Sequence, residues 1–497
     1  MRGTRIQIEC LPDDVLLSIF RYLDGKQLEE VANVCQRWRK ISFDTTLWRA
    51  AEFINWKEGK ILRWLEQRTG SRLKEVDLYK STVSPRLLAT IASACPKIEK
   101  LLLKHSYLCL RELFFEIKTY KALKILDIRD LRGHTCYIDH FLKYVPNVEL
   151  FAFDNSIARY WKPKIFTKMP KLRVLECSGC FDIQNEDMLI LAESCSKLES
   201  VAMNGCYKVD GLYLPLLLQN CPQLKTLSLA KTRITNASLR ECLWSRNQIT
   251  EINFSDCPIS SWGLREVLRD LPDVKYLSLK DSERNLTIDE ILLGYIAEFR
   301  SLRALNIDTS FAEEVSETLV CRVLCECQFI TFLNIGNGIK SIKRLKVLLK
   351  NLPLLKSFSI THTQRYHGVH DYIGIHDSIG VENVLNTLTK NCHELEVLGL
   401  CEFPDEQKRR KRNAFCRLFK NGNIFKKLYL CLCSREVIIM ALDARLLAKR
   451  DKLEIVQPGM ITPSPRVYLP PQRMSFDALV YGVGIADHYS RRKFELW

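Results

Sequence analysis

Residues 221–257 read CPQLKTLSLAKTRITNASLRECLWSRNQITEINFSDC. Two apolar triplets organise this stretch, Leu224-Leu227-Leu229 and Ile249-Ile252-Phe254. Each occupies positions i, i+3 and i+5 of its own unit. Successive side chains alternate along a strand, so i+3 and i+5 point to the same side of one. At i+8 stand Thr232 and Cys257, small side chains suited to a turn.

Outward from there the triplet recurs along most of the chain. From Leu73-Val76-Leu78 to Phe425-Leu428-Leu430 there are 14 units. Eleven of the 13 spacings lie between 24 and 28; the exceptions are 40 (355 to 395) and 30 (395 to 425). That period with this signature is the mark of leucine-rich repeats. All but three of the units carry Ser, Thr or Cys at i+8. Such a residue is expected to hydrogen-bond backbone that burial would otherwise leave unpaired. A second cysteine precedes the triplet by three positions at Cys95, Cys195, Cys221, Cys327 and Cys392. Proline follows or replaces it, as at Pro96, Pro146 and Pro170, and stops a helix there. The linking segments have helical spacing, as with Leu264, Val267, Leu268 and Leu271. This form resembles the cysteine-containing subfamily of leucine-rich repeats.

Residues 9–50 have a different pattern, ECLPDDVLLSIFRYLDGKQLEEVANVCQRWRKISFDTTLWRA. Pro12 suits a helix N1 position, and Asp13 and Asp14 complement the dipole of the first turn. Val15, Leu16, Ile19, Phe20 and Leu23 form an apolar face. A second helix is marked by Leu28, Val31, Ala32 and Cys35, and a third by Trp38 and Ile41. Three helices in about 40 residues bury too little to be comfortable alone, so part of this surface is expected to face a partner or the first repeat. The segment resembles an F-box through Leu11-Pro12, Ile19-Phe20 with Leu23, Val34-Cys35, Arg37-Trp38-Arg39 and Leu47-Trp48. F-boxes bind the Skp-family adaptor, which links them to a cullin and its RING subunit. By position, the resemblance makes Leu11, Pro12, Ile19, Phe20, Leu23, Val34 and Trp38 adaptor-facing or adaptor-supporting.

The whole is similar to the F-box/leucine-rich-repeat family. The implied fold is an α/β repeat: a three-helix F-box, then a leucine-rich-repeat solenoid with a curved parallel sheet inside and helices outside. The expected divisions are 8–52 for the F-box, 53–72 for a helical linker and N-terminal cap, 73–450 for about 14 repeats, and 451–497 for a C-terminal cap or tail. The implied function is substrate recognition for a Skp–cullin–F-box ubiquitin ligase, without catalysis or a cofactor of its own. Two alternatives remain open at this stage: a repeat scaffold or inhibitor with no ubiquitin role, and a basic nucleic-acid-associated factor.

The net charge of +16 raises the nucleic-acid reading. Strand alternation puts i+2, i+4 and i+6 of each unit on the open, concave face. Five cations stand there (Lys100, Lys104, Arg129, Lys280 and Lys427) against seven anions (Glu75, Asp77, Asp127, Asp154, Glu176, Glu251 and Asp308). The basic charge therefore lies elsewhere, and nucleic acid is not expected in the concavity. The charged N-terminal units, with Tyr79 among them, are expected to steer a protein target, while units 6–12 offer mainly Ser, Asn, Thr and Ala.

No apolar run comes near the length that a membrane-spanning helix requires, so none is expected. The chain opens without a signal-peptide pattern, so its 20 cysteines point to a reducing compartment, cytoplasmic or nuclear. His362, His367, His370 and His376 cluster in the longest gap between units, where a partner-facing loop fits better than a metal site. Cys177 and Cys180 fit core and turn positions better than zinc ligands. Lys408-Arg409-Arg410-Lys411-Arg412 reads as a nuclear signal, an acidic-partner patch or a charged helix start. The tail from Gln457 mixes prolines with aromatics and suits a cap or a segment crossing the concave face.

Overall fold

The repeat unit builds itself from one three-residue strand. In Glu75–Asp77, Lys100–Leu102 and Ile125–Asp127 the middle residue is the i+3 apolar one, and the three pair in register and in parallel. Val76, Leu101 and Leu126 are fully buried. The computed structural model describes residues 8–23, 25–68, 72–109, 117–135, 138–157, 163–271, 273–281, 285–336, 338–339, 341–360, 381–401, 408–421, 425–431, 435–450 and 453–456.

The chain falls into two compact units, residues 1–182 with 193–198, and residues 183–192 with 199–497. The first holds the N-terminal helices and a parallel ladder of six strands, from Ala50–Glu52 to Val174–Glu176. The second holds a parallel ladder of ten, from Ser200–Ala202 to Glu454–Val456. Helices link the strands and bury one stripe: in Ser261–Arg269, Leu264, Val267 and Leu268 are buried, and Leu271 just beyond it is too. Some links in the first unit are short 3-10 turns instead, as at Leu142–Tyr144 and Pro163–Lys168.

Fourteen strands of these ladders lie between residues 73 and 450, and the structure adds one at each end. Ala50–Glu52 pairs with Glu75–Asp77, and Glu454–Val456 pairs with Lys427–Tyr429. The first is a unit in its own right, with Trp48, Ala51 and Phe53 in the triplet positions, all buried.

The turn after the strand has a fixed chemistry. In six units the residue at i+7 is a left-handed non-glycine: Asn55, Lys80, His105, Asp130, Lys231 and Asp256 have φ between 54° and 61°. The following side chain then reaches back one unit. Ser106 Oγ donates to the Leu78 carbonyl at 2.6 Å, Cys257 Sγ to the Leu229 carbonyl at 3.0 Å, and Ser81 Oγ to Phe53. Each bond satisfies a carbonyl of the preceding unit, as expected for a buried backbone. The cysteine before the strand does the same for a helix end. Cys195 Sγ lies 3.6 Å from the Met169 carbonyl, and Cys392 Sγ 3.9 Å from that of Leu349. Cys177 and Cys180 are both fully buried in the repeat core.

Candidate adaptor and target surfaces

The N-terminal module consists of helices Asp13–Phe20, Gly25–Val31 and Gln36–Ser42. Pro12 is the N-cap of the first rather than its N1 residue. Its extended ψ of 153° keeps it outside the helix, and Asp13 takes the first helical position. The apolar face expected on this helix is split in two. Leu16 and Phe20 turn inward at 0% and 2% exposure, where they join buried Leu28, Ala32 and Ile41. Val15 and Ile19 turn outward at 41% and 38%. They are one helical turn apart and so share a face.

The remaining adaptor candidates fall on both sides of this division. Pro12 and Val34 are exposed, the latter at 61%. Leu11, Leu23 and Trp38 are half-buried. The Trp38 ring meets Phe20 edge-on, with centroids 5.5 Å apart. Cys35 caps the third helix, its sulfur accepting the Trp38 N–H at 3.4 Å. Arg37 holds the entry segment in place: Nε donates to Asp13 Oδ1 at 2.8 Å, and its two Nη groups donate to the carbonyls of Glu9 and Leu11. Val15, and Tyr22 at 91% exposure, were not among the residues singled out by resemblance. Their signal is the one-turn spacing of Val15, Ile19 and Tyr22.

The module is anchored to the first repeat by aromatics. Trp48 Nε1 donates to the Ser42 carbonyl at 2.8 Å, and the Trp64 ring packs edge-on against Trp48 and Phe53, each at 5.0 Å. Trp64 Nε1 in turn reaches Glu29 Oε1 at 3.2 Å.

On the sheet face away from the helices the structure corrects the expectation of openness. Asp77, Tyr79, Lys104, Asp127, Arg129 and Glu176 are buried, and only Glu75, Lys100 and Asp154 are half-exposed. The strands run in tight register, so each side chain on this face is flanked by its equivalents in the neighbouring strands. The carboxylates also have local work. Asp77 Oδ1 accepts the Tyr79 N–H at 3.0 Å and Asp127 Oδ1 that of Arg129 at 3.1 Å. Asp154 accepts Ser156 N–H at 2.9 Å and Asp130 N–H at 2.8 Å, and Glu176 accepts Ser178 N–H at 2.9 Å. They close the turn at the strand exit. Arg129 also pairs with Asp127 through two contacts, 2.7 and 2.9 Å, while Lys100 pairs with Glu75 at 2.6 Å.

Beside them lies His105, 3.3 Å from Asp130. Burial pushes its pKa down to about 4, helped by Lys104 and Arg132. Proximity to Asp130 alone would raise it, but burial and Asp154 push the Asp130 carboxyl up, so that partner holds its charge less firmly. The balance favours a neutral imidazole.

In the second unit the same face carries a polar ladder. Asn253 and Asn306 amides donate to Ser228 and Ser278 hydroxyls, each at 3.1 Å, and both asparagines also accept a strand-exit N–H. Tyr276, Ala304, Phe332 and Tyr429 form a buried apolar cluster with Val397 against it, a feature the Ser/Asn/Thr/Ala composition did not announce. The run from Lys408 opens the helix Lys408–Asn421. The histidines at 362–376 and the tail from 457 lie outside the described residues.

Residues 8–53 match a family model described as F-box-like. F-box/LRR-repeat protein 12 of Homo sapiens is 30% identical over 103 residues, covering 19% of this chain and 32% of that protein. F-box/LRR-repeat protein 21 of Ovis aries is 22% identical over 229 residues, covering 41% of this chain and 47% of that protein. The chain thus spans a third to a half of the length of these curated relatives. Among solved structures, one described as the Rad7 and Elc1 complex in yeast is 12% identical, covers 89% of this chain and 92% of that one, and has a TM-score of 0.43. The chain thus carries an F-box-like domain at residues 8–53, followed in sequence by parallel repeat strands, and it is similar to F-box/LRR-repeat proteins.

Proposed function

We propose that the protein is a non-catalytic substrate receptor of a Skp–cullin–F-box ubiquitin ligase, acting in the cytoplasm or nucleus. The F-box takes the Skp-family adaptor, and through it the cullin and RING subunit. The sheet face of the repeats takes a protein substrate, whose modification is performed by a conjugating enzyme recruited to the complex. One observation carries this reading. In an F-box-like domain whose interior is already closed by Leu16, Phe20 and Leu28, Val15, Ile19 and Val34 remain outside. Exposed aliphatics of this kind become favourable only when something covers them, at about 25 cal/mol per Å² of apolar area. The outward residues are thus the docking set, with Pro12 and Leu11 at its edge. Phe20 and Trp38 support it from behind.

The test is capture of the recombinant adaptor by the full chain. The Ile19→Asp/Val34→Asp variant should lose at least tenfold in affinity while its thermal unfolding is unchanged. Phe20→Ala should instead destabilise the module by about 3–5 kcal/mol. Undiminished capture by the double Asp variant would refute the docking assignment. Failure of the wild type to bind adaptor at all would favour the scaffold alternative.

A further inference from the structure

Residues 341–450 hold 20 Lys and Arg against 10 Asp and Glu, so +10 of the chain's +16 falls in about a fifth of its length. Three neighbouring outer helices organise much of it: Ile342–Asn351, Val381–Asn391 and Lys408–Asn421. Each buries its apolar stripe, through Leu345 and Leu349, Leu385 and Leu388, and Phe415 and Phe419. Outward stand Lys343, Lys346 and Lys350, then Lys390, then Arg417 and Lys420, all exposed.

Two nearby carboxylates pair with arginines of these helices rather than with the lysines. Glu317 pairs with Arg344 at 3.8 Å and Glu382 with Arg417 at 3.5 Å. Lys343, Lys346, Lys350, Lys390 and Lys420 have no ion-pair partner among the described residues. Like charges three and four positions apart weaken a helix, so helix stability does not explain Lys343, Lys346 and Lys350 on one face. The stripe is not purely ionic. Val347 is 51% exposed beside Lys346, and Leu354, at 42%, continues past Lys350. At about 1.5 Å per residue the three lysines span roughly 10 Å.

We propose that this outer face docks an acidic protein segment that alternates carboxylates with aliphatic side chains. The lysines supply diffuse positive charge that speeds encounter, and Val347 and Leu354 supply apolar contacts between them. Nucleic acid fits less well. No aromatic side chain is exposed among the described residues of these helices to stack a base, and lysine lacks the fork that reads bases and phosphates in pairs. A bilayer surface fits less well too, because an interfacial helix presents a broad apolar face and here the aliphatics are single residues among lysines. The proposal does not depend on the adaptor reading, since it involves neither the F-box nor the sheet face.

The probe is a fluorescein-labelled peptide made of seven Glu-Glu-Leu repeats, titrated with the full chain by anisotropy at low and high salt. A (dT)20 oligonucleotide and phosphatidylcholine vesicles containing phosphatidylserine are titrated in parallel. K343E/K346E/K350E should weaken peptide binding at least tenfold at low salt, and the difference should vanish at high salt. Glutamate is as good a helix former as lysine, so the helix is kept. K97E/K121E/K197E, an equal change of net charge at exposed positions elsewhere, should leave binding within twofold. Equal loss in both variants would reduce the effect to bulk charge and overturn the proposal. So would absence of peptide binding, or tighter binding of the oligonucleotide or the vesicles.

Discussion

At the scale of single residues, the turn after each strand shows what a sequence discloses and what it conceals. The Ser, Thr or Cys at i+8 was legible because its period is strict, and Ser106 and Cys257 bond to the preceding unit as that reading requires. The left-handed residue just before it was not legible, because Lys80, His105, Asp130 and Lys231 have no common chemistry. Only backbone geometry unites them, and it costs about 1–2 kcal/mol at a non-glycine residue. His105 carries a further consequence. Burial, Lys104 and Arg132 favour its neutral form, with a folded pKa of about 4 against 6.5 for the free group. The folded state thus takes up its proton less readily than the unfolded chain. The stabilisation is complete above pH 6.5 and is lost as pH falls from there to about 4. His105→Gln should flatten that limb of the stability profile by about 2 kcal/mol in denaturant titrations across this range. Parallel profiles for the two proteins would contradict the neutral assignment.

At the scale of elements, strands were readable and surfaces less so. The triplet located fourteen strands because i+3 must be apolar wherever it is sealed beneath a helix. It missed Ala50–Glu52, whose triplet is Trp48, Ala51 and Phe53, and Glu454–Val456, whose triplet has Lys452 at position i in place of an apolar residue. The F-box helix Asp13–Phe20 was recognisable as amphipathic, yet which aliphatics turned outward depended on how the other two helices covered it. The recurrent cysteines at helix ends belong to this scale as well. Burial raises the thiol pKa of Cys95, Cys327 and Cys392 to about 12, so their reactive thiolate is negligible near neutrality. Brief iodoacetamide treatment of the native protein should alkylate Cys10 and Cys35, which are exposed, and spare these three until denaturant is added. Peptide mass spectrometry reads the result, and rapid native labelling of Cys327 would show that its helix end opens.

At the scale of the molecule, charge and recognition separate. The sheet face was legible as near-neutral, but its openness was not, because exposure there depends on side chains a full repeat away in either direction. With Asp77, Asp127, Asp154 and Glu176 all closing turns, the half-exposed charges that the proposed function leaves to meet a target in the first unit are Glu75 and Lys100. On that proposal, Glu75→Lys should lower target capture severalfold without loss of adaptor binding, scored by proximity labelling with cullin activity blocked. Asp77→Asn keeps an acceptor for the Tyr79 N–H and should change neither. An unaltered set of labelled proteins in the Glu75→Lys variant would remove this part of the face from target recognition.

The in-register pairing has a kinetic consequence too. Val76 pairs with Leu101, and Leu101 with Leu126, so each partner lies one repeat along the chain however many units follow. The entropy of closing a loop grows with its length, and here that length stays at one repeat, stretched to 40 residues only between Ser357 and Val397. Such a ladder can assemble unit upon unit as the chain leaves the ribosome, each new strand finding its template already in place. The time to complete it then grows in proportion to the number of repeats, without the steeper penalty that distant contacts impose.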